Sequence, residues 1–295
     1  MTADSGDYYA KRIAAVLRYI GDNLDADLSL ERLSEVAGFS RFHFHRQFRL
    51  YAGVNPTKLI TLLRLKRASL QLAIESERKV IDIALEAGFG SPEAFARAFR
   101  RTHGQSPSEF RREPDWEGWV ETFRLNAQPV TETPMQVEIV DVPPTRVAVL
   151  EHCGPPESLM RSVSTFITWR KSCAVSPEAS SKTLGVPYSD PESGDPAEFR
   201  FDICGETRVD VPPNPQGVIS KEIPGGRRAV TRHVGSTDRI AETVRRLYAE
   251  WLPQSGERLG TFPCYFHYVA RMPRVSELEQ VTDVYLPLAA PEPPA

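Results

Sequence analysis

Apolar residues recur every three to four positions through the first third of the chain, and every second position in long parts of the remainder. Over 8–24, Ile13, Val16, Leu17 and Ile20 fall on one helical face. Ser29 can cap a short amphipathic helix that stops at Gly38, and Ser40 can cap the next, which turns Phe44 and Phe48 inward. Pro56 opens a Leu-rich helix running to Ile74. The short–turn–long pattern then returns in "VIDIALEAGF", "SPEAFARAFRRTHG" and "SPSEFRR". Residues 113–134 are rich in Pro, Thr and Glu without a sustained period. They predict a linker with some order around Trp116 and Trp119. From Met135 the grammar changes: "MQVEIVDVPPTRVAVLEHCG" alternates like two strands around a Pro-Pro turn. Strand and helix signals alternate from there to the Pro-rich tail.

The returning pattern is a repeat. With one inserted residue, Ser40 aligns with Ser91, Phe44 with Phe95, Arg46 with Arg97, Phe48 with Phe99, Gly53 with Gly104 and Pro56 with Pro107. Each copy predicts a short helix, a Gly-Phe turn and a second helix. That second helix buries two Phe residues and leaves Arg46 or Arg97 on the opposite side. A helix of this size fits the major groove of DNA, where Arg can bond guanine O6 and N7 together. The long helix 57–74 would hold both copies at fixed separation, so that two recognition helices on one chain reach successive major-groove faces.

The second half repeats too. "DVPPTRVAVLEHCG" aligns with "EIPGGRRAVTRHVG", pairing Arg146 with Arg227, His152 with His233 and Gly154 with Gly235. Each copy continues into a helix ending in Trp (Trp169, Trp251), a Leu-Gly step and a closing strand. The order strand, helix, strand, strand, twice over, predicts an α+β domain with pseudo-twofold symmetry. The expected architecture is thus multi-domain, with an all-α N-terminal double helix-turn-helix region and a C-terminal domain of two βαββ repeats. A seam between repeats leaves a groove, and Trp169, Tyr188, Trp251, Tyr265, Phe266 and Tyr268 fall near it as candidate ligand contacts. His152 and His233, at matching strand ends, read as structural.

Charge sharpens the division. Residues 1–112 carry 18 Lys and Arg against 13 Asp and Glu, whereas 113–295 carry 18 against 26. A basic front on an acidic back fits a polyanion partner for the front. No apolar run approaches the ~18 residues of a membrane span, and the polar start is no secretory signal. The scattered Cys153, Cys173, Cys204 and Cys264 read as reduced thiols of a cytoplasmic protein. His43 and His45, two apart on a helix, point to nearly opposite faces and make no metal pair. No Ser-His-Asp constellation, phosphate-binding Gly loop or metal-ligand spacing is visible, so neither a cofactor nor catalysis is expected.

On these residues, and on "AxxAGFxSxxxFxRxFRRxxGxSPSxFR" above all, region 8–112 resembles the AraC/XylS family of bacterial regulators. The resemblance implies that Phe42, His45 and Arg46 reach bases from the first recognition helix, with Glu93, Ala96 and Arg97 as counterparts in the second. Arg41, Arg49, Arg100 and Arg101 are phosphate candidates, which position without specifying sequence. Region 135–290, with its closing "TDVYLPL" and duplicated "P-x-x-R-x-A", is similar to the GyrI-like effector domain, and the whole layout to the Rob-like regulators. Relatives that bind cationic lipophiles commonly have a carboxylate in an E-x-Y step of the penultimate strand. Phe266-His267-Tyr268 stands there in this chain, which points to an apolar or aromatic effector. The resemblance implies double-stranded DNA, a small effector and RNA polymerase as partners, and no membrane. The alternatives are a GyrI-like hydrolase, or a compound-sequestering protein, fused to a DNA-binding module.

Overall fold

A computed structural model describes residues 3–123, 135–189, 196–277 and 279–290. The chain divides into two compact units, Met1–Pro134 with Arg271–Glu279, and Met135–Ala270 with Gln280–Ala295.

The first unit is helical: α1 (Ala3–Asp22), α2 (Leu30–Ala37), α3 (Arg41–Ala52), α4 (Pro56–Ile74), α5 (Val80–Glu86), α6 (Pro92–His103), α7 (Pro107–Arg112) and α8 (Trp116–Phe123). The starts are set by side-chain caps. Ser29, Ser40, Asn55, Ser91 and Ser106 each accept a hydrogen bond from the main-chain N–H three residues on. The apolar stripe of α1 is buried as its period requires, and Ile13, Val16 and Ile20 pack with Leu33, Phe44 and Phe48. Phe95, Phe99 and Phe110 form the matching core of the second copy, with ring centroids about 5.5 Å apart.

The order expected around Trp116 and Trp119 in the linker stretch is a helix of eight residues. In α8 Trp116, Trp119 and Phe123 are buried, and Trp119 Nε1 donates to Ser69 Oγ on α4 at 2.6 Å. Three aromatics in eight residues were enough apolar surface to order a segment whose Pro and Glu content suggested a linker. Residues 124–134 of that expected linker lie outside the described residues.

The second unit is one eight-stranded antiparallel sheet with helices on one face. Its strands are β1 (Val137–Val142), β2 (Thr145–Cys153), β3 (Thr183–Pro187), β4 (Arg200–Glu206), β5 (Ile219–Ile223), β6 (Gly226–Val234), β7 (Tyr265–Ala270) and β8 (Val281–Pro287). The order is β1-β6-β8-β7-β3-β4-β2-β5. Helix α9 (Leu159–Ser172) follows β2. Helix α10 (Ile240–Arg246) follows β6 and runs through a π turn at Leu247–Trp251 into α11 (Leu252–Ser255).

Two βαββ units are present, β2-α9-β3-β4 and β6-α10/α11-β7-β8, and β1 and β5 are extra strands that cross over. β1 pairs with β6 of the other repeat, and β5 with β2. Because β1 and β2 stand first and seventh in the sheet yet are joined by Pro143 and Pro144 alone, the sheet must curl until its ends meet. The turns confirm the closeness: a Cβ on Gly225, in the β5–β6 turn, would lie 2.7 Å from Pro144 N. The expected equivalence of Leu184-Gly185 with Leu259-Gly260 does not hold. The first pair lies in β3, whereas Leu259 precedes β7 and makes a single bridge to Leu288.

Period two sorts the strand residues onto two faces. Ala148, Phe201, Ile203, Phe266, Val284 and Leu286 pack on Phe166, Trp169 and Leu247 of the helices. Val147, Val149, Leu184, Val186, Cys204 and Tyr265 form a second, smaller cluster on the opposite, inner face. His152 and His233 are structural in the same way. Each ring bonds the next helix through Nδ1 (Ser162 Oγ, 2.9 Å; Thr243 Oγ1, 2.7 Å). Each places Nε2 on a main-chain carbonyl (Pro155, 3.3 Å; Ser236, 2.9 Å). A carbonyl only accepts, so the proton sits on Nε2 and Nδ1 accepts from the hydroxyl.

Two predictions follow from the helical core. Gly88, in the second helix-turn-helix turn, has φ +74°, and a Cβ there would lie 2.6 Å from the Arg64 guanidinium. That guanidinium is held by Leu24 O at 2.9 Å and Ala26 O at 3.3 Å. Gly88→Ala is expected to cost at least ~1–2 kcal/mol in urea unfolding, from the left-handed backbone alone. Gly90→Ala, with open space around it, should stay within about 0.5 kcal/mol.

His103 is 9% exposed among Phe99, Phe110 and Phe123, and neither ring nitrogen has a hydrogen-bond partner. Burial, opposed weakly by Asp115, lowers its pKa to about 4. The unfolded chain, with an ordinary imidazole, therefore binds the proton first. Stability falls as pH drops below about 6.5 and levels off below about 4, with roughly 2 kcal/mol lost by pH 5. His233 and His267, also lowered by burial, add to the loss over the same window, so urea unfolding at pH 7 and pH 5 should differ by at least that much in the wild type, and His103→Phe should reduce the difference by about 2 kcal/mol.

Candidate DNA interface and ligand cleft

In the helical unit the two recognition helices expose matching faces. Phe44 and Phe48 of α3, and Phe95 and Phe99 of α6, are fully buried. His45, Arg46 and Arg49 on α3, and Glu93, Arg97, Arg100 and Arg101 on α6, are exposed, and Ala96 is half-buried. The Phe42 side chain lies outside the described residues. Arg41 is exposed and pairs with the Glu31 carboxylate. Such a surface pair is worth little and exchanges readily for a phosphate. Glu93 is held ionised. Its carboxylate pKa is lowered by its own main-chain N–H, then by Ser91 and by Arg97.

Between α3 and α6 a cleft of about 460 Å³ is lined by His45, Asn55, Thr57, Lys58, Thr61 and Arg101, among others. It brings His45 of the first recognition helix and Arg101 of the second to one surface, with Lys58 of α4 between them. Lys58 follows Asn55, whose side chain caps α4 by accepting from the Lys58 N–H at 2.7 Å. A turn before a central helix gives little motif to read, and sequence reasoning passed over Asn55, Thr57, Lys58 and Thr61 for that reason.

In the sheet unit the six candidate aromatics do not form one group. Trp169 is 3% exposed and stacks on Phe166, and Phe266 is buried in the same helix-side core, where Trp251 and Tyr268 are half-buried. Tyr188 is 47% exposed; its hydroxyl donates to Asp202 at 3.1 Å, and Lys221 stands over its ring. Of the six, Tyr265 lines the cleft of about 350 Å³ on the inner face. Neighbours in a strand point to opposite faces, which is why Phe266 and Tyr268 part from Tyr265. The same alternation moves the significance of the Phe266-His267-Tyr268 step: His267, not Phe266, faces the cleft.

The cleft floor is the stacked pair Tyr265–Tyr285, with centroids 4.9 Å apart and planes 11° from parallel. Lys182, Glu206, His267 and the Pro143–Pro144 turn complete the walls. Burial raises the pKa of both tyrosines, with Arg228 opposing the rise at Tyr265. Burial, and then the charge of Lys182, lowers the pKa of His267, so the ring is neutral at pH 7. Arg146 also borders the cleft, and its charge is met by Asp210 at 3.2 Å. A carboxylate is thus present, supplied by β4 as Glu206 and not by the penultimate strand. Tyr285 and Glu206 were within reach of period-two reading of "TDVYLPL" and "FDICGE"; Lys182 was not, since it precedes β3. Among the described residues no group of His, Cys, Asp and Glu could hold a metal ion. No helix among them is long and apolar enough to cross a membrane.

Comparison with known proteins bears on both units. Residues 33–113 match the profile of a helix-turn-helix domain of AraC type. Over 160 residues the chain is 45% identical to "Probable transcriptional regulator YgiV" of Escherichia coli K12, covering 54% of this chain and all of that one. It is 34% identical over 104 residues to the "Right origin-binding protein" of the same organism, covering 35% of this chain and 36% of that one. A solved hydrolase from Listeria innocua, 15% identical, covers 52% of this chain and 92% of its own with a TM-score of 0.38. Residues 135–289 match the GyrI-like small molecule binding domain, and the chain belongs to that family.

Proposed function

We propose that this chain is a DNA-binding transcription regulator whose GyrI-like domain senses a small aromatic effector. The observation that carries the DNA reading is the shared cleft, where His45, Lys58 and Arg101 bring both recognition helices and the central helix to one basic surface. Duplex DNA carries a phosphate about every 1.7 Å of its axis, so a single basic surface spanning two helices meets several at once. Arg46, His45 and Phe42 read bases from α3. Glu93, Ala96 and Arg97 offer less: Ala96 can at most touch a thymine methyl, and Glu93 repels phosphate. The first helix therefore supplies most of the base discrimination, and α6 mainly positions. The helical domain at 8–112 and the effector domain at 135–290 act as separate modules of one cytoplasmic protein, with RNA polymerase as the further partner.

The effector reading rests on the inner-face cleft with its tyrosine floor. Its volume is at the low end of small-molecule sites. No catalysis is assigned to it. Hydrolysis needs a positioned acid, base or nucleophile. Glu206 accepts a hydrogen bond from the Lys182 N–H at 3.3 Å, and neither Ser nor Cys is among the residues lining the cleft. Steady-state turnover of activated esters and epoxides by the pure protein would overturn this reading.

Arg46→Ala is expected to weaken specific DNA binding by ten- to a hundredfold, about 1–3 kcal/mol, and to relax preference in one half-site. Arg97→Ala should lose affinity more evenly across sequences. Binding-site selection on both variants tests this: loss of preference in Arg97→Ala with preference intact in Arg46→Ala would reverse the assignment. In the same assay Lys58→Gln and Arg101→Gln should each weaken binding to every sequence and reduce the log–log salt slope by about one. A chain with no DNA affinity at low salt would end the reading.

A further inference from the structure

We propose that the inner-face cleft is built for a planar aromatic ligand that carries a negative charge. The proposal rests on the reading that this cleft takes the effector, and it names the effector's chemistry.

The ground is a buried cation beneath the tyrosine floor. Arg228, on β6, is 3% exposed, and its guanidinium carbon lies 6.0 Å from the Tyr265 ring centroid. Its hydrogen bonds go to neutral groups: the main-chain carbonyls Arg227 O at 2.9 Å, Gly225 O at 3.2 Å and Pro224 O, and the Tyr265 hydroxyl. Its Nε has no partner. Among the described residues no carboxylate accepts from it. A buried cation held only by neutral dipoles leaves its field uncompensated, and in a poorly screened interior that field reaches across one aromatic ring.

The remaining charges around the cleft do not cancel it. Arg146 is balanced by Asp210, and Arg232 by Asp283 beside His267 at 2.7 Å. His267 is neutral at pH 7. Lys182 and Glu206 offset each other on the wall. The excess is one positive charge, Arg228 itself. A ligand cation over the tyrosine pair would meet a ring face already engaged by a guanidinium, so the usual attraction of an aromatic floor for cations is spent. An anion gains from Arg228 and Lys182 and loses to Glu206, so the net attraction is that of Arg228. The flat Tyr265–Tyr285 stack and the volume of about 350 Å³ suit one or two fused rings.

The position that makes the difference is internal to the repeat. In the alignment that pairs Arg146 with Arg227, Arg228 takes the place of Val147, a buried residue of the inner cluster. One repeat puts an apolar side chain beneath the turn and the other a cation.

The test is isothermal titration of the full chain with three matched probes: 2-naphthoate, 2-naphthalenemethanol and 2-naphthylmethylammonium. The expected order is carboxylate, alcohol, ammonium, with about tenfold or more between first and last at low salt. Lys182→Gln should weaken the carboxylate about fivefold while leaving the alcohol unchanged, Lys182→Arg should restore it, and Glu206→Gln should strengthen it. Ammonium binding as tightly as carboxylate, or all three binding equally, overturns the charge assignment while keeping the cleft as the effector site. An equal loss of all three probes in Lys182→Gln overturns the role of that side chain. No saturable heat with any probe overturns the effector reading and this proposal together.

Discussion

The separation of the two recognition helices depends on burial of the central helix. α4 has buried positions around most of its circumference, from Pro56 to Leu72, and they include Lys66, Arg67, Ser69 and Gln71. Those polar groups are all placed. Arg67 bonds Asp25 and the Glu86 carbonyl, Gln71 bonds the Glu86 side chain at 3.2 Å, and Ser69 accepts from Trp119 while donating to Lys66 O. Lys66, 4% exposed, donates to Glu277 at 2.7 Å and lies over the rings of Trp119 and Phe123. Asp25 precedes the first helix-turn-helix, Glu86 lies within the second, and Glu277 comes from the β7–β8 connection. One helix is therefore pinned by both copies and by a segment far away in sequence. Buried ion pairs of this kind do little for net stability, but removing one partner is costly, which makes their geometry specific.

The sheet unit solves a different problem. Two βαββ repeats must be tied into one sheet, whose end strands, β1 and β5, each pair on one side. The extra strands β1 and β5 cross to the opposite repeat, and the two-residue turns after them draw the ends of the sheet together. The contact between Gly225 and Pro144 is where that curl closes. The inner face becomes a concave surface. The cleft lies there and not in the seam beneath the helices, where aromatic content alone first directs attention.

How much of this is legible in the sequence follows from which period carries the information. In the helical half, burial follows 3.6 residues per turn and the caps are Ser or Asn at helix starts, so Phe44, Phe48, Phe95 and Phe99 are readable as core and Arg46 and Arg97 as surface. Order around Trp116 and Trp119 is readable, but the helix that carries it on to Phe123 is hidden by a composition typical of linkers. In the sheet half, strands are readable but the faces are not. "YFHYVA" offers four aromatic or imidazole side chains in a row, and only knowledge of which face is covered by helices separates Tyr265 and His267 from Phe266 and Tyr268. Strand crossover was not legible either. Nothing local to "VEIVDV" says that it pairs with Thr231–Gly226, some ninety residues on.

Duplication has opposite consequences in the two halves. In the helical unit both copies keep their outward faces, and function comes from having the same shape twice, with small differences such as Glu93 and Ala96 grading one helix against the other. In the sheet unit exact repetition would produce two equivalent hollows related by the pseudo-twofold axis. The copies differ instead at the position occupied by Val147 in one and Arg228 in the other. The Pro143–Pro144 turn stands as the wall of an open cleft, while its counterpart, Pro224–Gly225, gives its carbonyls to the Arg228 guanidinium. A single Val-to-Arg difference thus does two things with one side chain. It meets the carbonyls of the Pro224–Gly225 turn, and it sets a positive charge 6.0 Å from the Tyr265 ring that lines the cleft. The fold supplies the symmetry, and the break in symmetry supplies the specificity.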